Sequence, residues 1–471
     1  WILNMSSNLS QFIKILKKEL MESQIIRTGS FEVIDPRDRL LNKSEICIKP
    51  MNTKEISIIL KFANKFMVPI IPLGGSTGLV GGQIASQNNQ VTLSLEKLND
   101  IKFFNKSNLL KVQSGAILSN VKNIALNHGR HFPLALASEG SCQIGGNLAT
   151  NAGGLNVIKY GNIRDLCLGL EAVLPSGKIL SSMKSLKKNN MGFDLKNLFI
   201  GSEGTLGIIT SAILKTFPIP KDPISVFFSV NNLEDVLFIF KKIYNDFQER
   251  ILAFELIKIT AIDFINDLGF IIDNPFTKKT NWMILMEIDV NIGSISLKEI
   301  LEKSLYDLIL KDRILEVFFA NSISQRNKFW NIRELIPAAN REKGSICSND
   351  ISVPLEKIPE FIIKLDQTLL SFSKDILINC FGHVGDGNLH YNIFPLSENV
   401  RMELEKKRID IINIINDLVA KYSGSISAEH GIGRLKKNEL HKIEDSGKLH
   451  MMKLIKSVID PKNILNPGVL F

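Results

Sequence analysis

From Thr53 onward the apolar residues Ile56, Ile59, Leu60, Ala63 and Phe66 recur at three- and four-residue intervals, which gathers them on one helical face. Thr53 suits the N-cap, and Glu55 places negative charge in the first turn, beside the positive end of the helix dipole. The spacing then changes to a continuous apolar run, Val68 to Leu73, which reads as a buried strand. A second such run, Val91 to Leu95, follows a glycine-rich loop with no long amphipathic helix in between. Pro218, Pro220 and Pro223 break the pattern most clearly and predict a boundary near residue 222. Beyond it, strand patterns (Ile224 to Val230, Trp282 to Ile288, Leu315 to Phe319, Ile376 to Phe381) alternate with helical ones (Leu233 to Phe247, Ser296 to Ile309, Leu355 to Leu370). That alternation predicts an α+β domain with a mostly antiparallel sheet. A helical tail runs from about residue 400 to Asn466-Pro467-Gly468, so the expected α+β architecture divides at 1–222, 223–399 and 400–471.

Composition narrows the class. The 471 residues, 45% hydrophobic and 22% charged, are ordinary globular material and exclude a disordered or fibrous chain. Cys47, Cys142, Cys167, Cys347 and Cys380 are widely spaced with no CxxC pair, so neither a disulfide framework nor a cysteine zinc site is expected, and a reducing compartment fits. The net charge of +9 is scattered over short clusters such as Lys187-Lys188, Lys241-Lys242 and Lys436-Lys437, which reads as a solvated lysine-rich surface rather than a nucleic-acid face. No apolar run approaches the roughly 18 residues of a membrane span, and no basic-then-apolar leader is present. The expected location is cytoplasmic, with peripheral attachment at the inner face of a membrane as the alternative. Trp1 to Asn4, ahead of Met5, read as a start-site extension.

The glycines carry chemistry through their grouping. They gather at Gly74 to Gly82, Gly140 to Gly154 and Gly201 to Gly207, each beside a strand-like segment and interleaved with Ser, Thr or Asn. One such loop is an ordinary tight turn; three favour close backbone approach to a large polyphosphate ligand, whose oxygens exposed N–H groups can cradle. Neither a G-x-G-x-x-G opening a helix nor a Gly-Lys-Ser/Thr loop occurs, so the Rossmann and P-loop nucleotide sites are excluded.

The segment CFGHVGDGNLHYNIF, Cys380 to Phe394, contains a turn signal at Gly385 to Asn388. Folding there pairs Val384 with Leu389, sets His383 opposite His390 at about 5 Å between Cβ atoms, and puts Phe381 opposite Asn392 on the same face. Glu429 and His430, in the glycine-bounded run Ser427 to Gly433, add a carboxylate and a candidate general base. An isolated histidine is more often a satisfied structural residue, but His383, His390 and Glu429 together form a two-histidine, one-carboxylate metal set. Hydrogen-bonded histidine turns give the same pattern.

These motifs resemble, in order and over nearly the whole chain, the FAD-linked D-2-hydroxyacid dehydrogenases of the vanillyl-alcohol-oxidase type. The matching runs are PLGGSTGLVGG (72–82), GSCQIGGNLATNAGG (140–154), YGNIRD (160–165), GSEGTLGIIT (201–210), GHVGDGNLH (382–390), SAEHGIG (427–433) and the closing NPG. The resemblance implies a two-part FAD-binding domain, an α+β substrate domain with a mostly antiparallel sheet, and a helical C-terminal segment. It places the FAD diphosphate on the loop of Gly74, Gly75, Ser76, Thr77, Gly78 and Leu79, with Pro72 as a further cofactor-binding residue. The flavin is bordered by Ser138, Gly140, Ser141, Ile144, Gly145, Gly146, Asn147 and Thr150, by Gly201, Glu203, Gly204, Gly207 and Ile208, and by Asn466. FAD is expected to be non-covalent, since the 74–82 loop has no histidine or cysteine; His128, His131 and Cys142 are the other candidates for a link.

The resemblance further implies a divalent metal, zinc or manganese, on His383, His390 and Glu429. Arg333 holds the substrate carboxylate, Asn392 adds a contact, and His430 takes the hydroxyl proton while hydride passes to flavin N5. For Arg333, sequence pattern alone favours an exposed helix charge. Where relatives that hold a distal carboxylate carry threonine and lysine, this chain has Pro337 and Ser348. The expected substrates are therefore small monocarboxylates, D-lactate or glycolate, over D-2-hydroxyglutarate, although Arg341 and Lys343 are nearby sources of charge. The electron acceptor is left open among a quinone, a cytochrome and an electron-transfer protein. The alternatives are an ether-lipid-synthase type of the same fold and a metal-dependent hydrolase in which the glycine loops are only turns.

Overall fold

The computed structural model describes residues 2–27, 31–221, 223–270, 272–290 and 297–471, with side chains from residue 7 onward. They form two compact units. The first is the chain up to Gly153 with Tyr160–Ile219 and Glu429–Phe471; the second is Gly154–Lys159 with Pro220–Ala428. Residue 222, the expected boundary, lies outside the described residues, and the division falls between Ile219 and Pro220. The expected 400–471 segment is divided: helices Arg401–Lys406 and Arg408–Lys421 belong to the second unit, Lys437–Ile443 and Ser446–Ile459 to the first.

The first unit holds two sheets. In the smaller, Ile46–Ile48 and Ile70–Leu73 flank Val91–Ser94 and run parallel to it, with Ile25–Arg27 antiparallel at the edge. Helix Thr53–Phe66 makes the parallel connection and buries Ile56, Ile59, Leu60 and Ala63. Its cap is Asn52, not Thr53: Asn52 has the extended backbone a cap requires and accepts the Glu55 N–H at 3.0 Å. Thr53 is the first helical residue, and its hydroxyl donates to Glu171 at 2.8 Å.

The larger sheet runs Ile101–Phe104, Leu109–Gln113, Ile208–Lys215, Cys167–Val173 and Ile179–Ser182, antiparallel throughout. Leu110, Val112, Leu170, Ala212 and Leu214 from this sheet share a core with Leu118 and Val121 of helix Leu118–Asn127. That core also takes Ile144 and Leu148 of helix Ile144–Thr150, which occupies the middle of the glycine-rich 140–154 stretch.

The second unit is built on a seven-stranded antiparallel sheet in the order Glu316–Phe319, Pro223–Val230, Trp282–Asp289, Ile251–Lys258, Ile376–Gly382, Asn388–Pro395, Cys347–Ser352. Two of these strands were absent from the expected set. Cys347–Ser352 is an edge strand whose Ser, Asn and Asp content hides its pairing, and Ile251–Lys258 is an apolar run interrupted by Glu255. Helix Leu233–Phe247 matches its expected span. Ser296, the expected start of the next helix, lies outside the described residues; the helix is described over Leu297–Leu310. Helix Ile259–Asp267 was not among the expected elements, and the helix on which pattern places Arg333 runs over Ile323–Lys343 with Pro337 inside it.

Candidate active site

Three glycine-rich segments of the first unit meet where their glycines leave no room for a side chain. A Cβ at Gly75 would stand 2.0 Å from the Ser141 carbonyl oxygen, one at Gly145 would be 2.6 Å from Ser114 Cβ, and one at Gly204 would be 2.6 Å from Pro72 Cγ. Contact this close is possible only without Cβ. Around the meeting point, Gln143 Oε1, Asn147 Oδ1 and Asn466 Oδ1 are buried without a hydrogen-bond partner, and nothing stands within 4 Å of a Cβ at Gly140 or Gly146. Orphaned buried polar atoms beside open backbone fit a polar ligand such as FAD.

Not every expected contact remains available to it. The Ser76 hydroxyl is engaged with both backbone groups of Ile34 at 2.9 and 3.0 Å, and the Thr150 hydroxyl donates to the Gly146 carbonyl. Cys142 is buried, and burial pushes its thiol up. A thiol held protonated is a poor partner for a covalent link.

Glu203 is spent on the chain itself. Its carboxyl accepts the Ile432 and Gly433 N–H groups, each at 2.8 Å, its own N–H donates to the Ala149 carbonyl, and its carbonyl accepts from Asn466 Nδ2. Burial raises the carboxyl, the two backbone donors and Lys436 oppose this, and the result is about 7 against an ordinary 4.5. Between these values the folded chain keeps a proton that the unfolded chain releases. The corresponding stability is complete below pH 4.5 and is lost as pH rises through 7, by about 3 kcal/mol. Thermal unfolding measured from about pH 5 to about pH 8 should therefore show a shallower decline in Glu203→Gln than in the wild type; equal slopes would refute the assignment.

In the second unit His383 and His390 come together, in a register that corrects the expected one. Phe381 faces His390 and Asn379 faces Asn392, two residues from the predicted alignment. A turn of 3-10 helix at Val384–Asp386 takes up the slack, with the Asp386 and Asn388 N–H groups donating to the His383 carbonyl. A slip of two residues preserves the face of the strand. The rings still meet, with centroids 5.5 Å apart and planes at 81°.

Glu255, fully buried, joins this pair to Arg333. It accepts from His383 Nδ1 at 2.7 Å and from Arg333 Nε at 2.8 Å. Burial alone would raise its carboxyl, but the His383 and Arg333 charges and the hydrogen bonds they donate hold it at about 2. Arg333 is 6% exposed, with its guanidinium 4.7 Å from the Phe381 ring centroid, so the exposed helix charge favoured by pattern is overturned.

His390 Nδ1 lies 3.8 Å from Asp350, its cross-strand partner. Asn392 directs its amide nitrogen to the carbonyls of His390 and Asn379. Glu429 begins the last segment of the first unit, one peptide bond after Ala428; just before it, Ser425 pairs with Ser352 at the edge of the second unit's sheet. Sequence reasoning missed Glu255 and Asp350. The available signal was a lone carboxylate inside the apolar strand ILAFELIK, which must be paired to be buried.

Residues 219–470 match the family described as FAD linked oxidases, C-terminal domain, and residues 44–182 match the FAD binding domain. The chain is 33% identical over 466 residues to the mitochondrial D-2-hydroxyglutarate dehydrogenase of Arabidopsis thaliana, covering 98% of this chain and 81% of that one. It is 34% identical over 426 residues to the D-2-hydroxyglutarate dehydrogenase of Xanthomonas citri pv. viticola, covering 90% and 88%. The structure of p-cresol methylhydroxylase with substrate bound superposes with a TM-score of 0.76 at 14% identity, covering 98% and 96%, a likeness of fold. The Arabidopsis relative is named as mitochondrial, so the cytoplasmic expectation is not supported by it. Among the described residues no helix is long and apolar enough to cross a membrane.

Proposed function

The chain belongs to the FAD-linked oxidase family, and from that premise we propose that it oxidises a D-2-hydroxy acid, D-2-hydroxyglutarate first, to the 2-oxo acid. It is an FAD-dependent oxidoreductase of the D-2-hydroxyacid dehydrogenase group. The observation that carries the proposal is the buried Arg333–Glu255–His383 network, which holds a carboxylate-binding cation beside a candidate metal ligand. Bound FAD supplies the hydride acceptor.

Arg333, oriented by Glu255 and stacked on Phe381, offers its guanidinium fork to the substrate carboxylate. His430 takes the hydroxyl proton at a ring nitrogen. As the family resemblance implies, His383, His390 and Glu429 would supply two imidazoles and a carboxylate, a donor set that suits zinc or manganese. The Nδ1–H···Glu255 bond fixes the tautomer and ring orientation of His383, as a partner behind a metal-binding imidazole does. A metal-dependent hydrolase would leave the FAD binding domain match without a role.

The relatives' names move D-2-hydroxyglutarate ahead of the small acids expected above. A second reading keeps D-lactate or glycolate, on one observation. Pro337, one helical turn after Arg333, has no donor, and the Ser348 hydroxyl already shares a 2.7 Å hydrogen bond with Ser345. A lost charged hydrogen bond costs about 1.5–3 kcal/mol, or about ten- to a hundredfold in binding. Purified protein should show flavin absorbance that bleaches anaerobically with the preferred acid. With an artificial electron acceptor, kcat/KM for D-2-hydroxyglutarate is expected to exceed that for D-lactate and glycolate by about tenfold or more; the reverse order selects the second reading, and no bleaching by any 2-hydroxy acid removes both.

A further inference from the structure

The motif GSEGTLG suggests a ligand role for Glu203, yet both of its carboxyl oxygens are taken by consecutive backbone N–H groups, those of Ile432 and Gly433. Those two groups belong to a turn shaped by positive φ at Gly431 (84°) and Gly433 (56°), and successive N–H groups in such a turn form a concavity that receives an acidic oxygen. Glu203 itself is held at φ 50°, a conformation uncommon for a residue with a side chain. Its main chain is fixed at both ends, by Ala149 and by Asn466. The turn is fixed from the other side as well: Arg434 donates its backbone N–H to the Val80 carbonyl, and a Cβ at Gly433 would stand 2.1 Å from that same oxygen.

We infer that Glu203 is a positioning residue that seats the Gly431–Gly433 turn and thereby sets the direction in which Glu429 and His430, immediately before it, present their side chains. The inference rests on the functional reading above. It reassigns Glu203 from cofactor contact to the anchor of the loop carrying the metal carboxylate and the base. The rigidity follows from the geometry. Two N–H bonds from adjacent residues to one carboxyl fix both translation and rotation of the turn, whereas a single bond would leave it a hinge.

The test uses the full-length, FAD-loaded protein. In Glu203→Gln the amide retains one acceptor but turns an N–H toward the second backbone donor, so the clamp is halved. The expected result is unchanged FAD per chain, and a dissociation constant for Mn2+, titrated into metal-stripped protein, that rises about ten- to a hundredfold. At saturating Mn2+, kcat per bound flavin should fall about tenfold with KM within about twofold, because the Arg333 contact with the substrate carboxylate is untouched.

Gly431→Ala provides a second route that keeps the carboxyl. Its Cβ would lie 3.0 Å from Glu203 Oε1 in a strained conformation, and it should reproduce the same defects. Arg313→Gln weakens the bond to the buried Asp235 in the second unit, which involves none of the residues that hold the turn; it should lower Tm while leaving kcat per flavin unchanged. Loss of FAD in Glu203→Gln, with Mn2+ affinity and kcat per flavin as in the wild type, would overturn the inference. Should the wild type oxidise no 2-hydroxy acid, hydrogen exchange still decides. Amides of the 431–434 segment should exchange at least about tenfold faster in Glu203→Gln, and wild-type protection there would overturn the clamp.

Discussion

Replacing Glu255 with alanine is expected to destabilise the second unit by about 3–5 kcal/mol, the cost of leaving a buried charge without its partner. Glu255 is fully buried and serves two donors, Arg333 Nε and His383 Nδ1, so its removal strands both. At about 2–4 °C per kcal/mol for a unit of this size, Tm falls by roughly 10 °C, read by calorimetry or by near-UV circular dichroism. Activity falls too, because Arg333 loses the bond that aims its guanidinium and His383 the bond that fixes its tautomer. Glu255→Gln keeps the volume and one acceptor and should fall between the two. The double variant Glu255→Leu/Arg333→Met separates the causes: it should recover stability relative to Glu255→Ala, since apolar residues can replace a buried ion pair, yet remain inactive. A Glu255→Ala protein with wild-type Tm and wild-type kcat would show that the network has neither role.

Removing a histidine of the pair should cost the metal and the turnover while sparing the flavin. His383→Ala or His390→Ala takes one of the proposed ligands, and Glu429→Gln takes the third. The glycine-rich segments that fit FAD belong to the first unit and the histidines to the second, so flavin absorbance per chain should stay at the wild-type level. Metal analysis should show less than about a tenth of the wild-type divalent ion, and kcat should fall by more than about a hundredfold, beyond what an outer-shell change costs. Asp350→Asn, which alters the residue facing His390 and the acceptor of the Asn388 amide, should give the smaller loss of about ten- to a hundredfold in metal affinity. An active wild-type protein free of divalent ion would overturn the metal assignment, as would a His383→Ala variant with full activity.

Much of this arrangement was legible before any coordinate. Helix Thr53–Phe66 and helix Leu233–Phe247 follow from apolar spacing because a helix buries one face, and that face must repeat along the chain. The three glycine clusters were legible because glycine is required wherever two backbones touch, as Gly75 shows against Ser141. The His383 and His390 pair was legible for a related reason. A strand alternates with period two, so a hairpin brings same-face residues together even when its register slips by two.

What the sequence left open depends on partners far away along the chain. Asn52 rather than Thr53 caps its helix because a cap is selected by backbone direction, which neighbouring residue types do not reveal. Arg333 looks like a surface charge on a helix until Glu255, 78 residues earlier, is found opposite it. Glu203 looks like a ligand residue until Ile432 and Gly433, 229 and 230 residues later, occupy both of its oxygens. The sequence determined which residue types and local conformations were available, since these depend on sterics and hydrophobic periodicity within a few residues. Only the tertiary structure decided which buried charges are paired and which carboxyl clamps which loop, because a buried charge is stabilised by whatever the fold places against it, at any distance along the chain.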